Sequence, residues 1–280
     1  MTLAPFGARL HAAMGARGPL CVGIDPHASL LASWGLSDDV TGLERFSRTV
    51  VETLADRVAV LKPQSAFFER FGSRGIAVLE RVIVDARAAG ALVLADVKRG
   101  DIGSTAQAYA QAYLSAGSPL FSDAMTANPY LGVGALRPLV DTALANGSGV
   151  FLLALTSNPE GPEVQHARRP DGRTVAQSVL DAAAELNAGA EPLGSIGVVV
   201  GTTIGETGHD LSRVNGPLLA PGIGPQGATA EDLRAVFGAA TGAVLPTMSR
   251  EVLRHGPDPA ALRAAAERAL LACGAVLSRA

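Results

Sequence analysis

Ala91-Leu92-Val93-Leu94-Ala95-Asp96-Val97-Lys98-Arg99-Gly100-Asp101 is an apolar, β-prone run that ends in charges. Ala91–Val97 reads as a strand, the polar turn after it as a loop, and Thr105–Ala116 as an alanine-rich helix. The same order recurs along the chain. Further strands are predicted at Leu20–Asp25, Val58–Lys62, Leu120–Met125, Val150–Thr156, Ile196–Val200, Pro217–Ala220 and Ala243–Leu245. The clearest remaining helices are predicted at Leu43–Ala55, Ile76–Ala89, Val175–Ala188, Ala230–Ala239 and Pro259–Cys273. Eight strands alternating with helices over 280 residues predict an α/β chain forming one (β/α)8 TIM barrel, a single domain over 1–280. A doubly wound open sheet is the rival. It normally carries a glycine-rich turn after its first strand, and Gly23-Ile24-Asp25-Pro26 is no such turn.

Bulk properties narrow the partners. Hydrophobic residues at 48% suit a substantial core, and a net charge of -3 offers no footprint for nucleic acid or an anionic membrane. Cys21 and Cys273 lie in apolar stretches without metal-ligand spacing, so both are expected as buried, reduced thiols. Met1 to Gly18 is broken by Pro5, Gly7 and Gly15, lacks the apolar core of a signal peptide, and no apolar run is long enough to span a bilayer. The expectation is a soluble, cytoplasmic protein. Two polar stretches, Ser157–Thr174 and Thr202–Asn215, follow the fifth and sixth strands and are expected as long loops on the catalytic face.

Lysine is nearly absent. Of 23 basic residues only Lys62 and Lys98 are lysines, and each closes an apolar run. Arginine holds its proton in any protein, whereas a lysine ammonium can deliver one. Residues i and i+2 of a strand share a face, so Asp96 and Lys98 are expected together at the end of the third strand. With Lys62 from the second strand, Asp25 from the first and Asp101 just beyond the third, strand ends in a barrel bring these charges around one cavity. Lys62, Asp96, Lys98 and Asp101 sum to zero, which makes burial tolerable. Carboxylates around Lys98 favour its ammonium form, whereas a Schiff-base lysine needs a free amine. Lys98 therefore reads as a proton donor or as a cation stabilising a carbanion. The plain structural alternative is a buried salt bridge.

A second constellation lies near the C-terminus, in Ala220-Pro221-Gly222-Ile223-Gly224-Pro225-Gln226-Gly227 and Leu245-Pro246-Thr247-Met248-Ser249-Arg250. Glycines expose backbone N–H groups after the seventh strand, and Arg250 follows the eighth at a helix start. Loops in these two places form the recurrent phosphate site of such barrels, where Arg250 can hold a phosphate through paired hydrogen bonds. His11, His27, His166, His209 and His255 show no metal or triad spacing, although His27 is placed to reach the mouth of the site.

Asp96-Val97-Lys98-Arg99-Gly100-Asp101-Ile102-Gly103 resembles the Asp-x-Lys-x-x-Asp signature of the orotidine 5'-phosphate decarboxylase family, in its longer bacterial branch. Gly23-Ile24-Asp25-Pro26, Leu61-Lys62-Pro63-Gln64 and Pro221-Gly222-Ile223-Gly224 are similar too, in the same order. The resemblance implies a metal- and cofactor-independent decarboxylation of orotidine 5'-phosphate to UMP. It implies that Asp25 and Lys62 bind ribose hydroxyls, Asp96 lies against the substrate carboxylate, and Lys98 protonates C6. It further implies a homodimer in which Asp101 and Thr105 reach the other subunit's site, with Ser157 at the pyrimidine and Gln226 and Arg250 at the phosphate. Asn128, in Thr126-Ala127-Asn128-Pro129-Tyr130, belongs to a branch-typical loop without an assigned role.

Three rivals stand beside this reading. A related barrel acting on a sugar phosphate with Mg2+ would use Asp96 and Asp101 as ligands, but carries glutamate where Lys62 stands here. A Schiff-base aldolase conflicts with the carboxylates around Lys98. A non-catalytic nucleotide-binding barrel would bind UMP without turning over the carboxylated nucleotide.

Overall fold

The computed structural model describes residues 3–224 and 227–278. Eight parallel strands close into a barrel in chain order. They are β1 (Cys21–Ile24), β2 (Val60–Pro63), β3 (Leu92–Arg99), β4 (Ala124–Ala127), β5 (Gly149–Leu155), β6 (Ile196–Val200), β7 (Leu218–Pro221) and β8 (Val244–Met248), and β8 pairs back onto β1. The open-sheet rival is excluded by that closure. All eight predicted strands are present, with one shifted. Leu120 and Phe121 lie outside β4 because a turn captures them: Phe121 donates its N–H to the Ser118 carbonyl at 3.0 Å, and Ser122 donates to Tyr113 at 2.9 Å.

The predicted helices occupy Val40–Leu54, Gly72–Ala88, Gly103–Leu114, Val175–Leu186, Asp232–Phe237 and Pro259–Leu277. Val40–Leu54 shows why they form. Asp39 caps its start by accepting from the Gly42 N–H at 2.8 Å. Leu43, Phe46, Val50, Val51 and Leu54 then recur at helical spacing and are buried together against the barrel. Helices at Phe6–Arg17 and Arg137–Ala145 add to the predicted set. Among the described residues no helix is long and apolar enough to cross a membrane.

Strand alternation sorts the core into two layers. Cys21, Val60, Leu92, Leu94, Ala124, Phe151, Val199, Leu219 and Leu245 turn into the barrel and pack on Phe6 and Leu10 of the N-terminal helix. Their neighbours Val22, Leu61, Val93, Met125, Leu152, Val198, Leu218 and Val244 face the surrounding helices. Strands buried on both faces read as continuous apolar runs, which is how they appear in the sequence. At the N-terminal end the Phe6 ring meets Phe151 edge-on, with centroids 5.9 Å apart. Buried Asp123 accepts from Arg9 Nη1 at 2.6 Å, from Arg87 Nε at 3.2 Å and from the Val93 N–H at 2.9 Å. The bottom of the barrel is thereby plugged and tied shut, which leaves the C-terminal strand ends as its open face.

Cys21 and Cys273 are both free and buried, as predicted, and burial pushes the Cys21 thiol up to about 12.

Candidate active site

At the C-terminal end of the barrel, β5, β6 and β7 keep the apolar Leu153, Val199 and Leu219 inward, whereas the other five columns turn polar: Asp25 after β1, Lys62 in β2, Asp96 in β3, Thr126 in β4 and Thr247 in β8. All five line one cavity of about 370 Å3, together with His27, Gln64, Phe67, Lys98, Ser157, Pro221, Gly222, Ser249 and Arg250. A packed, apolar barrel interior thus ends in a polar floor.

Asp96 is the centre of that floor. Its Oδ2 accepts from Lys62 Nζ at 3.0 Å, and its Oδ1 accepts from Lys98 Nζ at 2.6 Å and from Thr126 Oγ1 at 2.9 Å. Burial disfavours the Asp96 charge, but the two ammonium groups outweigh it and hold the carboxyl well below the usual carboxylate range. Burial likewise works against the Lys62 ammonium, and the carboxylates of Asp96 and Asp25 overcome it, raising the lysine above its ordinary value. Asp25 is buried, and its Oδ1 lacks a hydrogen-bond partner among the described residues. The Lys62 side chain is only 7% exposed while that of Lys98 remains 47% exposed, so the second ammonium stands further into the cavity than the first.

The i, i+2 expectation for Asp96 and Lys98 is met in contact but not in regular geometry. Lys98 has φ +47°, a left-handed conformation rare outside glycine, and the register of β3 on β4 shifts between Ala95 and Arg99. The strand ends in a bulge that swings the Lys98 ammonium back onto Asp96.

Asp101 corrects the expected one-chain cluster. Neither Asp101 nor Thr105 lines the cavity. Beyond the bulge the chain turns outward into Gly103–Leu114, where Asp101 Oδ1 accepts from the Ile102 N–H at 2.8 Å and Thr105 is exposed. Charge balance within the subunit comes from Asp25 instead. Arg99 pairs with Glu69 and lies over the Tyr109 ring.

The second constellation converges on the opposite rim. Pro221, Gly222 and Ile223 follow β7, and Arg250 opens the single helical turn Arg250–Leu253 after β8. Gly222 has φ +116°, which a side chain would oppose, so the glycine is what lets the backbone fold around the rim. Arg250 has no carboxylate partner among the described residues. Gln226 lies outside the described residues. Ser157, after β5, lines the cavity as expected.

Sequence reasoning missed Thr126, Thr247, Gln64 and Phe67. The first two had a usable signal, a hydroxyl at an inward-facing strand position near the C-terminal end. Phe67 had none, because its place depends on the turn after β2 that brings its ring 4.4 Å from that of His27.

Known proteins supply an independent measure. The model of the orotidine 5'-phosphate decarboxylase / HUMPS family matches residues 18–265. An orotidine 5'-phosphate decarboxylase of Salinispora arenicola is 71% identical over 273 residues, covering 98% of each chain. One from Streptomyces coelicolor is 69% identical over 265 residues, covering 94% of this chain and 95% of its own. The crystal structure of a Streptomyces avermitilis protein, provisionally given the same name, superposes with a TM-score of 0.97 at 66% identity, over 99% of this chain and 98% of its own. Barrel topology, charged floor and extended sequence identity agree, and the chain belongs to the orotidine 5'-phosphate decarboxylase / HUMPS family.

Proposed function

We propose that this chain is a carboxy-lyase that converts orotidine 5'-phosphate to UMP and CO2 in pyrimidine biosynthesis, without metal or organic cofactor. The observation that carries the reading is the Asp96 carboxylate clamped between Lys62 and Lys98 on the cavity floor. In the proposed reaction the bond from C6 to the carboxylate breaks and its electron pair stays on C6. The Lys98 ammonium, fixed beforehand, stabilises that pair and donates its proton to C6, leaving a neutral amine that recovers a proton from water. Asp96 lies against the substrate carboxylate and repels it until CO2 leaves. Asp25, whose Oδ1 awaits a donor, and Lys62 receive the ribose hydroxyls. Ser157 meets the pyrimidine, and Pro221, Gly222, Gln226 and Arg250 hold the phosphate, whose binding energy draws the surrounding loops over the ring.

Homodimerisation and a cytoplasmic location belong to the same proposal. Asp101 and Thr105 lie outside their own cavity, and Thr105 and the neighbouring Ile102 are exposed, which supports their serving a partner's site. The Mg2+-dependent reading is disfavoured by Lys62, whose ammonium stands 3.0 Å from Asp96 Oδ2 and would repel a cation there. The test is the ultraviolet loss of orotidine 5'-phosphate in excess EDTA, with Lys98→Ala as control. Conversion to UMP that persists in EDTA and falls at least about 1000-fold in the folded variant is expected. No conversion by folded wild-type protein would overturn the activity, and near-normal turnover by Lys98→Ala would overturn the proton-donor role.

A further inference from the structure

We infer that Thr126 is the positioning residue that sets Lys98 and Asp96 for the reaction, an inference that rests on the reading of Lys98 as proton donor. Ala95 of β3 pairs with Met125 of β4, and Arg99 pairs with Ala127. Asp96, Val97 and Lys98 therefore lie opposite Thr126 alone, and the regular ladder is interrupted there. The Thr126 side chain takes its place. Its Oγ1 accepts from the Val97 N–H at 3.0 Å and from the Lys98 N–H at 2.9 Å, and donates to Asp96 Oδ1 at 2.9 Å.

A hydroxyl has one proton to give and two lone pairs, and here all three are used. With both lone pairs taken by amides, the Thr126 proton must go to Asp96. That bond requires Oδ1 to act as acceptor, the same atom that receives the Lys98 ammonium at 2.6 Å. One buried hydroxyl therefore couples the backbone of Lys98, held at φ +47°, to the carboxylate that anchors its side chain. Without it the two amides lose their acceptor and the left-handed turn loses its brace, so the ammonium is free to drift from C6. Misplacement of about 1 Å in such a group costs on the order of 100-fold in rate.

The experiment compares Thr126→Val, which keeps the shape without the hydroxyl, with Thr126→Ser, which keeps the hydroxyl. Decarboxylation kinetics and the affinity for UMP are measured on each. Thr126→Val should lower kcat by about 10- to 100-fold, with KM and UMP affinity within about threefold of wild type. Thr126→Ser should recover kcat to within about threefold. An undiminished kcat in folded Thr126→Val, or a serine variant as impaired as the valine one, overturns the inference. Hydrogen exchange on wild-type protein gives a check that needs no variant to fold. The Val97 and Lys98 amides should be protected, and exchange as fast as in an open loop would overturn the inference equally. Lys98→Ala separates the two levels. If it retains turnover, the proton-donor reading fails and takes this inference with it. If it is inactive while Thr126→Val is normal, the positioning role alone fails.

Discussion

Lys62 is a buried cation facing two carboxylates, and its value lies in what its removal would strand. Lys62→Met leaves Asp96 with Lys98 and Thr126, but takes from buried Asp25 the ammonium it interacts with. Breaking such a set costs about 3–5 kcal/mol, to be read as the difference in urea unfolding at neutral pH. The pH dependence of that difference follows from the two shifts. Asp96 is depressed, so its contribution is present above the ordinary carboxylate range, about 3.9, and is lost as pH falls through its lower folded value. Lys62 is raised, so its contribution is present below the ordinary lysine value, about 10.4, and is lost as pH rises through its higher folded value. The gap between wild type and Lys62→Met should therefore be widest between about pH 5 and 9 and shrink at both extremes. A gap that is flat from pH 3 to 11 on the urea curves, about the range that brackets both ordinary values, would show that the ion pair does not set it.

The N-terminal helix Phe6–Arg17 shows how an element can matter to the fold without showing a helical signature. Pro5, Gly7 and Gly15 make it read as broken chain. Gly7 is there for proximity, since a β-carbon at this position would collide with the carbonyls of Leu193 and Gly194. That approach lets the Gly7 N–H reach Ser195 Oγ at 3.1 Å and drives Phe6 into the barrel floor against Phe151. Phe6→Ala should destabilise the fold by about 3–5 kcal/mol through the void it opens. The ring lies at the end of the barrel opposite the cavity, so kcat and KM of the folded variant should be unchanged. A loss of activity exceeding the loss of folded protein, as seen by circular dichroism, would contradict the separation of a stabilising bottom from a reactive top.

One subunit brings Lys62, Asp96 and Lys98 to its cavity and turns Asp101 and Thr105 away from it. In the proposed dimer each site takes Asp101 from its partner. Lys98→Ala and Asp101→Ala proteins, each inactive alone, should regain activity when mixed under exchange. Half the dimers are then mixed and each has one intact site, so about a quarter of wild-type activity is expected. Two inactive parents that remain inactive after demonstrated exchange would place Asp101 in the site of its own chain.

The sequence by itself determined the order of strands and helices, the closed barrel as against an open sheet, and the place of Asp25, Lys62, Asp96 and Lys98 at strand ends around one cavity. Those features are local or periodic: apolar runs bounded by turns, an alternation of two, and rare lysines at strand ends such as Lys62 and Lys98. Only the tertiary structure decided that Asp25 rather than Asp101 completes the subunit's own charge balance, that Lys98 sits in a left-handed bulge, and that Thr126 closes it. Each depends on which residues of β3 and β4 stand opposite one another, and on where the chain turns after the strand ends. Such facts arise between elements distant in sequence, where hydrogen-bond satisfaction and packing act together, so no single stretch of the chain carries them.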